Sequence, residues 1–235
     1  MIYRTHLSTS IAIASIGLYT NYRIHEIIPP SPEGIDKTVS IVNNYIATFF
    51  WHADWQYYNS LPWAIGKIYI LVFLFGVAFG ALTPDIDHPN SKLGRYMPKF
   101  ISTNIPHRGP THSLFAIVLL TILGMFVFNA SVEPTSFFSA YSNPLSHTMS
   151  GWLLHIYAGF IIGYLLHILE DYFSIDSIHL FYPIGKNKRT RWSPFRYRTG
   201  GFTEKIIFYV TSLFAIYSVI VWLTNQPILF KAILN

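Results

Sequence analysis

The residues best equipped for chemistry lie between Thr83 and Ser113. The stretch opens with Thr83-Pro84-Asp85-Ile86-Asp87-His88 and closes with His107-Arg108-Gly109-Pro110-Thr111-His112-Ser113. Two carboxylates and three imidazoles crowd into one polar hairpin between two apolar runs. Carboxylate oxygen and imidazole nitrogen are the donors a hard-to-borderline divalent cation takes, so the stretch points to a metal site. The plainer alternative is a polar connection between two buried helices. Donors of the same kind elsewhere in the chain weigh against it: His6 near the start, and His167, Glu170 and Asp171 late.

Spacing sharpens the expectation. His167 and Asp171 are four apart, so on a helix they share one face and can grip one cation together. His107 and His112 are five apart across a Gly109-Pro110 break, where a loop ends and a helix starts. Such a turn can aim both imidazoles at one point. Asp85 and Asp87 alternate around Ile86 and in extended chain point the same way. One can then bind metal while the other orients a histidine. Taken singly, each has a bland counterpart: His6 an interfacial residue, Asp85 a turn acid, Arg108 a topological charge.

The elements that must position these groups follow from composition. The chain of 235 residues is 51% hydrophobic and only 11% charged, with a mean hydropathy of +0.36. Soluble domains carry about 25% charged residues, so this is the composition of a membrane protein. Cysteine is absent, which excludes disulfide frameworks, thiolate zinc sites and cysteine nucleophiles. Five uncharged apolar runs, 7–22, 68–82, 113–130, 151–169 and 206–224, predict five transmembrane helices in an all-α bundle. About 20 apolar residues cross a bilayer. The second run reaches that length if it begins near Trp63 or Gly66. The first is the shortest in effect and resembles a signal peptide, but cleavage after Ala12-Ile13-Ala14 would discard His6, so a retained helix is expected. The chain reads as one domain over 1–235. The 23–66 link is Pro-rich early and aromatic late, as an interfacial, extracytoplasmic segment would be. The 172–205 link is basic.

Threading the five helices alternately puts twelve of the Lys and Arg on one side and four on the other. The positive-inside rule makes the first side cytoplasmic, the N-terminus with it. The net charge of +5 is thereby accounted for without a nucleic-acid partner. The same threading brings His6, Asp85, Asp87, His107, His112, His167, Glu170 and Asp171, from four helices, to that cytoplasmic face. His88, Asp176 and His179 fall nearby.

The order His6-Leu7, Pro84-Asp85-Ile86-Asp87-His88, His107-Arg108-Gly109-Pro110-Thr111-His112-Ser113 and Gly163-Tyr164-Leu165-Leu166-His167 with Asp171 resembles the YdjM-like family of inner-membrane, metal-dependent hydrolases. The His-Arg-Gly-Pro-Thr-His-Ser stretch is its most specific part, and Thr199-Gly200-Gly201 with Glu204 looks like a final motif. The resemblance runs from His6 to about Glu204. It implies a distant similarity to zinc-dependent phospholipases C and single-strand nucleases. It also implies His6, Asp85, His112, His167 and Asp171 as ligands, with His107 and Asp87 beside them. The 23–67 link is longer and more aromatic than the family pattern.

The expected function is a membrane-bound, metal-dependent hydrolase. One or two cations, zinc first and manganese second, would lower the pKa of a bound water to roughly 7. Arg108, or a basic residue from 186–198, would neutralise charge developing on a phosphate oxygen. Asp87 or Glu170 would act as general base or orienter. A phosphodiester or phospholipid head group suits a basic site at membrane level, with membrane lipids as neighbours. The competing expectations are a non-catalytic metal site, structural or cation-carrying, and a scaffold whose basic loop binds anionic lipid.

Overall fold

The computed structural model describes residues 3–27, 63–98, 108–131, 149–175, 178–184 and 197–224. Within these the chain is all-α. Five long helices are present: α1 Tyr3–Ile27, α2 Trp63–Leu82, α3 Leu114–Ser131, α4 Met149–Tyr172 and α5 Phe202–Thr224. Each covers one of the five apolar runs, except that α3 begins one residue into its run, at Leu114. The first run is the one most extended, by four residues before it and five after. Two stretches among the described residues are long and apolar enough to cross a membrane by length and composition: Ile70–Asp87, which takes in most of α2 and the turn after it, and Phe202–Ile220 on α5.

The bundle is centred on α2 against α4, and glycine sets their approach. Gly76 and Gly80 on α2, and Gly159 and Gly163 on α4, are each four apart. A Cβ at Gly76 would strike the Ile156 carbonyl, and one at Gly80 the Phe160 carbonyl. Reciprocally, Cβ atoms at Gly159 and Gly163 would strike the carbonyls of Phe73 and Val77. Two facing small-xxx-small stripes of this kind let helix backbones touch. The sequence held this signal in plain form.

The helix α1 lies against α5 and reaches α2 and α4 as well. Its contact face is small and polar, with Ser8, Ser10, Ala12, Ala14 and Ser15 all buried, and Ser8 Oγ lies 2.8 Å from Thr211 Oγ1 on α5. On α3, Tyr157 of α4 bonds to the Leu120 carbonyl. The outer faces of α3 and α5 remain apolar and uncovered: Phe126 is 77% exposed and Leu213 70%.

The turns at one end of the bundle differ from the extended chain expected around Asp85. Pro84–Asp87 is a 3-10 turn, closed by Ile86 N–H to the Thr83 carbonyl and His88 N–H to the Asp85 carbonyl, both at 3.0 Å. Proline in the first position presets the helical φ. At three residues per turn, Asp85 and Asp87 point in different directions, not the same one. A second 3-10 turn, Pro110–His112, precedes α3, so the Gly-Pro break starts a separate turn and the helix begins only at Leu114. Ser113 caps it, its Oγ accepting from Ala116 N–H at 3.3 Å.

Of the links, 28–62 and the basic cluster Lys186–Arg196 lie outside the described residues, as do His107 and Asp176.

Candidate metal centre

Two helices and two turns deliver the polar groups to one buried point. His6 comes from α1, Asp85 and Asp87 from the first 3-10 turn, and Arg108 and His112 from the second turn and its lead-in. His167, Glu170 and Asp171 come from the end of α4. His6, His112 and His167 have no exposed surface at all, and Asp87 and Asp171 are 1% exposed.

The two central histidines are each held by Nδ1. On His167, Nδ1 lies 2.6 Å from the Ala81 carbonyl, which can only accept, so Nδ1 carries the proton. On His112, Nδ1 lies 3.1 Å from Thr111 Oγ1. That hydroxyl donates its own proton to Asp87 Oδ2 at 2.6 Å and so accepts from His112. In its neutral form each ring therefore presents a bare Nε2, and these two nitrogens face one another at 3.3 Å. Two lone pairs directed together in a buried site need a positive charge between them: a proton carried by His112, whose pKa is raised, or a metal cation.

Two carboxylates complete the set. Asp85 Oδ1 lies 3.4 Å from His112 Nε2 and 3.7 Å from His167 Nε2. Asp171 Oδ2 lies 3.5 Å from His112 Nε2 and 3.8 Å from His167 Nε2. Donors about 2.0–2.2 Å from a tetrahedral ion stand about 3.4 Å from one another. Separations of 3.3–3.8 Å among these donors fit a divalent cation. Asp171 and His167 share one face of α4, as their spacing requires.

Asp87 does not reach that point. Its Oδ2 accepts from Thr111 Oγ1 and, at 3.1 Å, from the Arg108 backbone N–H, and it lies 3.5 Å from His112 Nδ1. It orients His112. Arg108 adopts φ 61°, the left-handed region a non-glycine residue enters at a cost of about 1–2 kcal/mol. The bond to Asp87 holds it there. Its Nη2 lies 3.5 Å from Asp171 Oδ2, and its side chain is 14% exposed.

His6 occupies the other side of Asp171. Its Nδ1 lies 2.6 Å from Glu170 Oε2, whose other oxygen accepts from Ser10 Oγ at 3.1 Å. Its Nε2 is buried and makes no hydrogen bond; Asp171 Oδ1 is 3.4 Å away. The His6 ring stacks on that of His167, centroids 3.8 Å apart and planes inclined by 19°. Burial opposes charge on His6, but the Asp171 and Glu170 carboxylates outweigh it and raise its pKa to about 9. Burial likewise works against a charged His112, and Asp85 and Asp87 overcome it and raise its pKa. Asp171 is held well below the usual carboxylate range: burial would raise it, and the His6 contact prevails. Glu170 is raised, chiefly by burial.

Several partners escape sequence reasoning. Ser10 stands one helical turn after His6 and supports Glu170. Tyr164 donates to the Thr111 carbonyl at 2.5 Å, fixing the second turn to α4. Tyr197 donates to the Glu170 carbonyl at 2.9 Å. Glu204, which the sequence did single out with Thr199-Gly200-Gly201, sits in the first turn of α5 and accepts from Gly200 N–H at 2.5 Å, capping that helix. Among the other histidines, His88 stays in its own turn, accepting from Asn90 N–H at 3.2 Å.

A family model described as YdjM inner membrane protein matches residues 46–233. The chain belongs to the YdjM family. The match takes in Asp85, Asp87, Arg108, His112, His167, Glu170, Asp171 and Glu204, and it begins after His6, which lies outside it. Among curated proteins, an uncharacterized protein of Bacillus subtilis, YvsG, is 32% identical over 133 residues, 55% of this chain and 67% of that protein. The inner membrane protein YdjM of Escherichia coli is 34% identical over 107 residues, 43% of this chain. The Shigella flexneri protein of that name matches equally. The matched region spans only 44% of these last two proteins. No solved structure matches. These YdjM relatives are named for the inner membrane, in keeping with the two stretches able to span one.

Proposed function

We propose that this YdjM-family protein is a membrane-bound, metal-dependent hydrolase acting on a phosphoester, in particular a phospholipid head group. The observation that carries the proposal is the pair of bare Nε2 atoms of His112 and His167 at 3.3 Å, flanked by Asp85 and Asp171. Two imidazoles with two carboxylates suit zinc first and manganese second. When bound, such a cation supplies a Lewis acid and an acidified water. The chain's own groups do the rest. Asp87 and the Ala81 carbonyl hold the two imidazoles in the tautomer that leaves Nε2 bare. Glu170 holds His6. Arg108, 14% exposed and 3.5 Å from Asp171 Oδ2, offers a fork of donors that can take two phosphate oxygens.

The membrane setting follows from the same reading. All five helices cross the bilayer, with the apolar outer faces of α3 and α5 in contact with lipid chains. The N-terminus and the metal centre face the cytoplasm, a reading supported by the distribution of Lys and Arg. Reporter fusions at Asn104 and Lys186 both read as cytoplasmic on this account, and two extracytoplasmic readings overturn it.

A second reading has one observation in its favour. Four protein donors are enough to close a tetrahedral site, as in structural zinc centres. The two readings part on turnover. Protein purified in detergent is stripped with chelator, reloaded with zinc or manganese, and assayed on a panel of phosphodiesters and phospholipids. Hydrolysis that appears only on reloading supports the enzyme; full metal occupancy without turnover of any of them supports the structural ion.

A further inference from the structure

We propose that the centre holds two divalent cations bridged by Asp171, with His6 as the imidazole that anchors the second. This rests on the metal centre proposed above and adds a site to it. The evidence is the relation between His6 and His167. A metal ion binds imidazole in the ring plane, about 2.0–2.1 Å from the nitrogen. The two rings are stacked with centroids 3.8 Å apart and planes only 19° from parallel. Planes so disposed meet about 10 Å from the rings, far outside the reach of a metal–nitrogen bond of about 2.1 Å. One ion cannot lie in both planes. An ion held by His167 and His112 leaves His6 without it.

His6 is nonetheless built as a ligand. Its Nδ1 is pinned by Glu170 at 2.6 Å, and Glu170 is fixed in turn by Ser10. Its Nε2 is fully buried, makes no hydrogen bond and looks toward carboxylate oxygen. Asp171 offers each imidazole a different atom: Oδ1 stands 3.4 Å from His6 Nε2, and Oδ2 stands 3.5 Å from His112 Nε2. A carboxylate that divides its oxygens between two sets of nitrogens is placed to bridge two ions, which lie about 3.5–4 Å apart in two-metal sites. Asp85 also serves both sides, since donor atoms of His6, Asp85 and His167 all lie within 4.8 Å of one another.

The donors differ in kind. The His112–His167 side offers two nitrogens and suits zinc, whereas the His6 side is richer in oxygen and tolerates a harder ion such as manganese.

The test is metal stoichiometry of the full chain in detergent, stripped and then dialysed against manganese or zinc, with electron paramagnetic resonance of the manganese form. The expected result is two ions per chain and a spin-coupled manganese pair. His6→Ala should retain one ion and give the uncoupled signal of isolated manganese, with helicity unchanged. His6→Gln repeats the comparison should the alanine variant misfold. No ion in the unsubstituted protein would refute the metal centre itself. One ion would refute the pair and leave the centre standing. Two ions in a folded His6 variant would remove His6 from the second site. Loss of both from a folded variant would make His6 a ligand of the common ion and overturn the division.

Discussion

His112 and His167 face each other nitrogen to nitrogen, Nε2 to Nε2, at 3.3 Å in a site closed to solvent. Each ring is turned that way by a hydrogen bond on its far side, to Thr111 and Asp87 for one and to the Ala81 carbonyl for the other. The arrangement has a function only when a positive charge sits between the rings. The predictions below turn on what that charge is and on what surrounds it.

Asp87 touches His112 through Thr111 and does not reach the ion. Asp87→Asn keeps the shape and removes the charge that holds the His112 tautomer. Loss of such an orienting partner typically weakens metal binding by about 10–100-fold. A competition titration with a zinc chelator on purified protein measures it. An affinity unchanged from that of the unsubstituted protein would remove Asp87 from the site.

Protons compete with the metal. His6 is raised to about 9 and His112 is raised as well, so at pH 7 the metal-free centre is protonated at His6, and an incoming cation must expel that proton. Affinity therefore rises with pH, by up to about tenfold per unit for each proton displaced, and levels off as pH passes about 9. Calorimetry in buffers of different ionisation enthalpy reads the proton release directly. Equal affinity at pH 6.5 and 8.5 would contradict it.

Arg108 separates catalysis from mere metal binding. Its guanidinium has only donors and cannot be a ligand, yet Nη2 lies 3.5 Å from Asp171 Oδ2. Arg108→Lys is expected to keep the metal and to slow turnover of a phosphoester substrate by about 10²–10³-fold, the usual effect of losing one charge-stabilising donor. Unchanged turnover would return Arg108 to the role of a topological charge, and loss of metal would make it structural.

The seam between α2 and α4 is the part of the bundle least tolerant of bulk. Gly163 lies against the Val77 carbonyl, and backbone cannot move aside as a side chain can. Gly163→Leu should destabilise the detergent-solubilised protein by about 1–3 kcal/mol or more and disturb the site, because His167 follows one turn later. Thermal unfolding followed by circular dichroism reports it; a melting point within one degree of the original would refute the close approach.

Much of this was legible in the sequence, for identifiable reasons. Apolar runs too long for anything but helices marked the five helices, and the four-residue spacing of His167 and Asp171 survived intact because both lie within α4. Asp85 and Asp87 were placed wrongly relative to each other. Their alternation assumes extended chain, and Pro84 with the backbone bonds around it makes a 3-10 turn instead. The division of roles that the sequence reading left open, one acid toward the ion and the other orienting a histidine, is made by that turn: Asp85 lies toward the imidazole Nε2 atoms and Asp87 behind His112. Ser10, Tyr164 and Tyr197 were missed because a hydroxyl that props a carboxylate or carbonyl carries no motif of its own. The stacking of His6 on His167 joins residues far apart in sequence, and no spacing rule can express a ring plane.

The most direct test of the account is the coordination shell of the metal itself. X-ray absorption at the zinc edge of the reloaded, detergent-purified protein should show only nitrogen and oxygen at about 2.0–2.2 Å, with the outer-shell scattering of imidazole rings. That imidazole scattering should be reduced in His112→Ala. A protein that takes up no zinc, or one whose bound zinc shows no imidazole scattering, would contradict the central claim that the facing nitrogens of His112 and His167 exist to hold a metal ion.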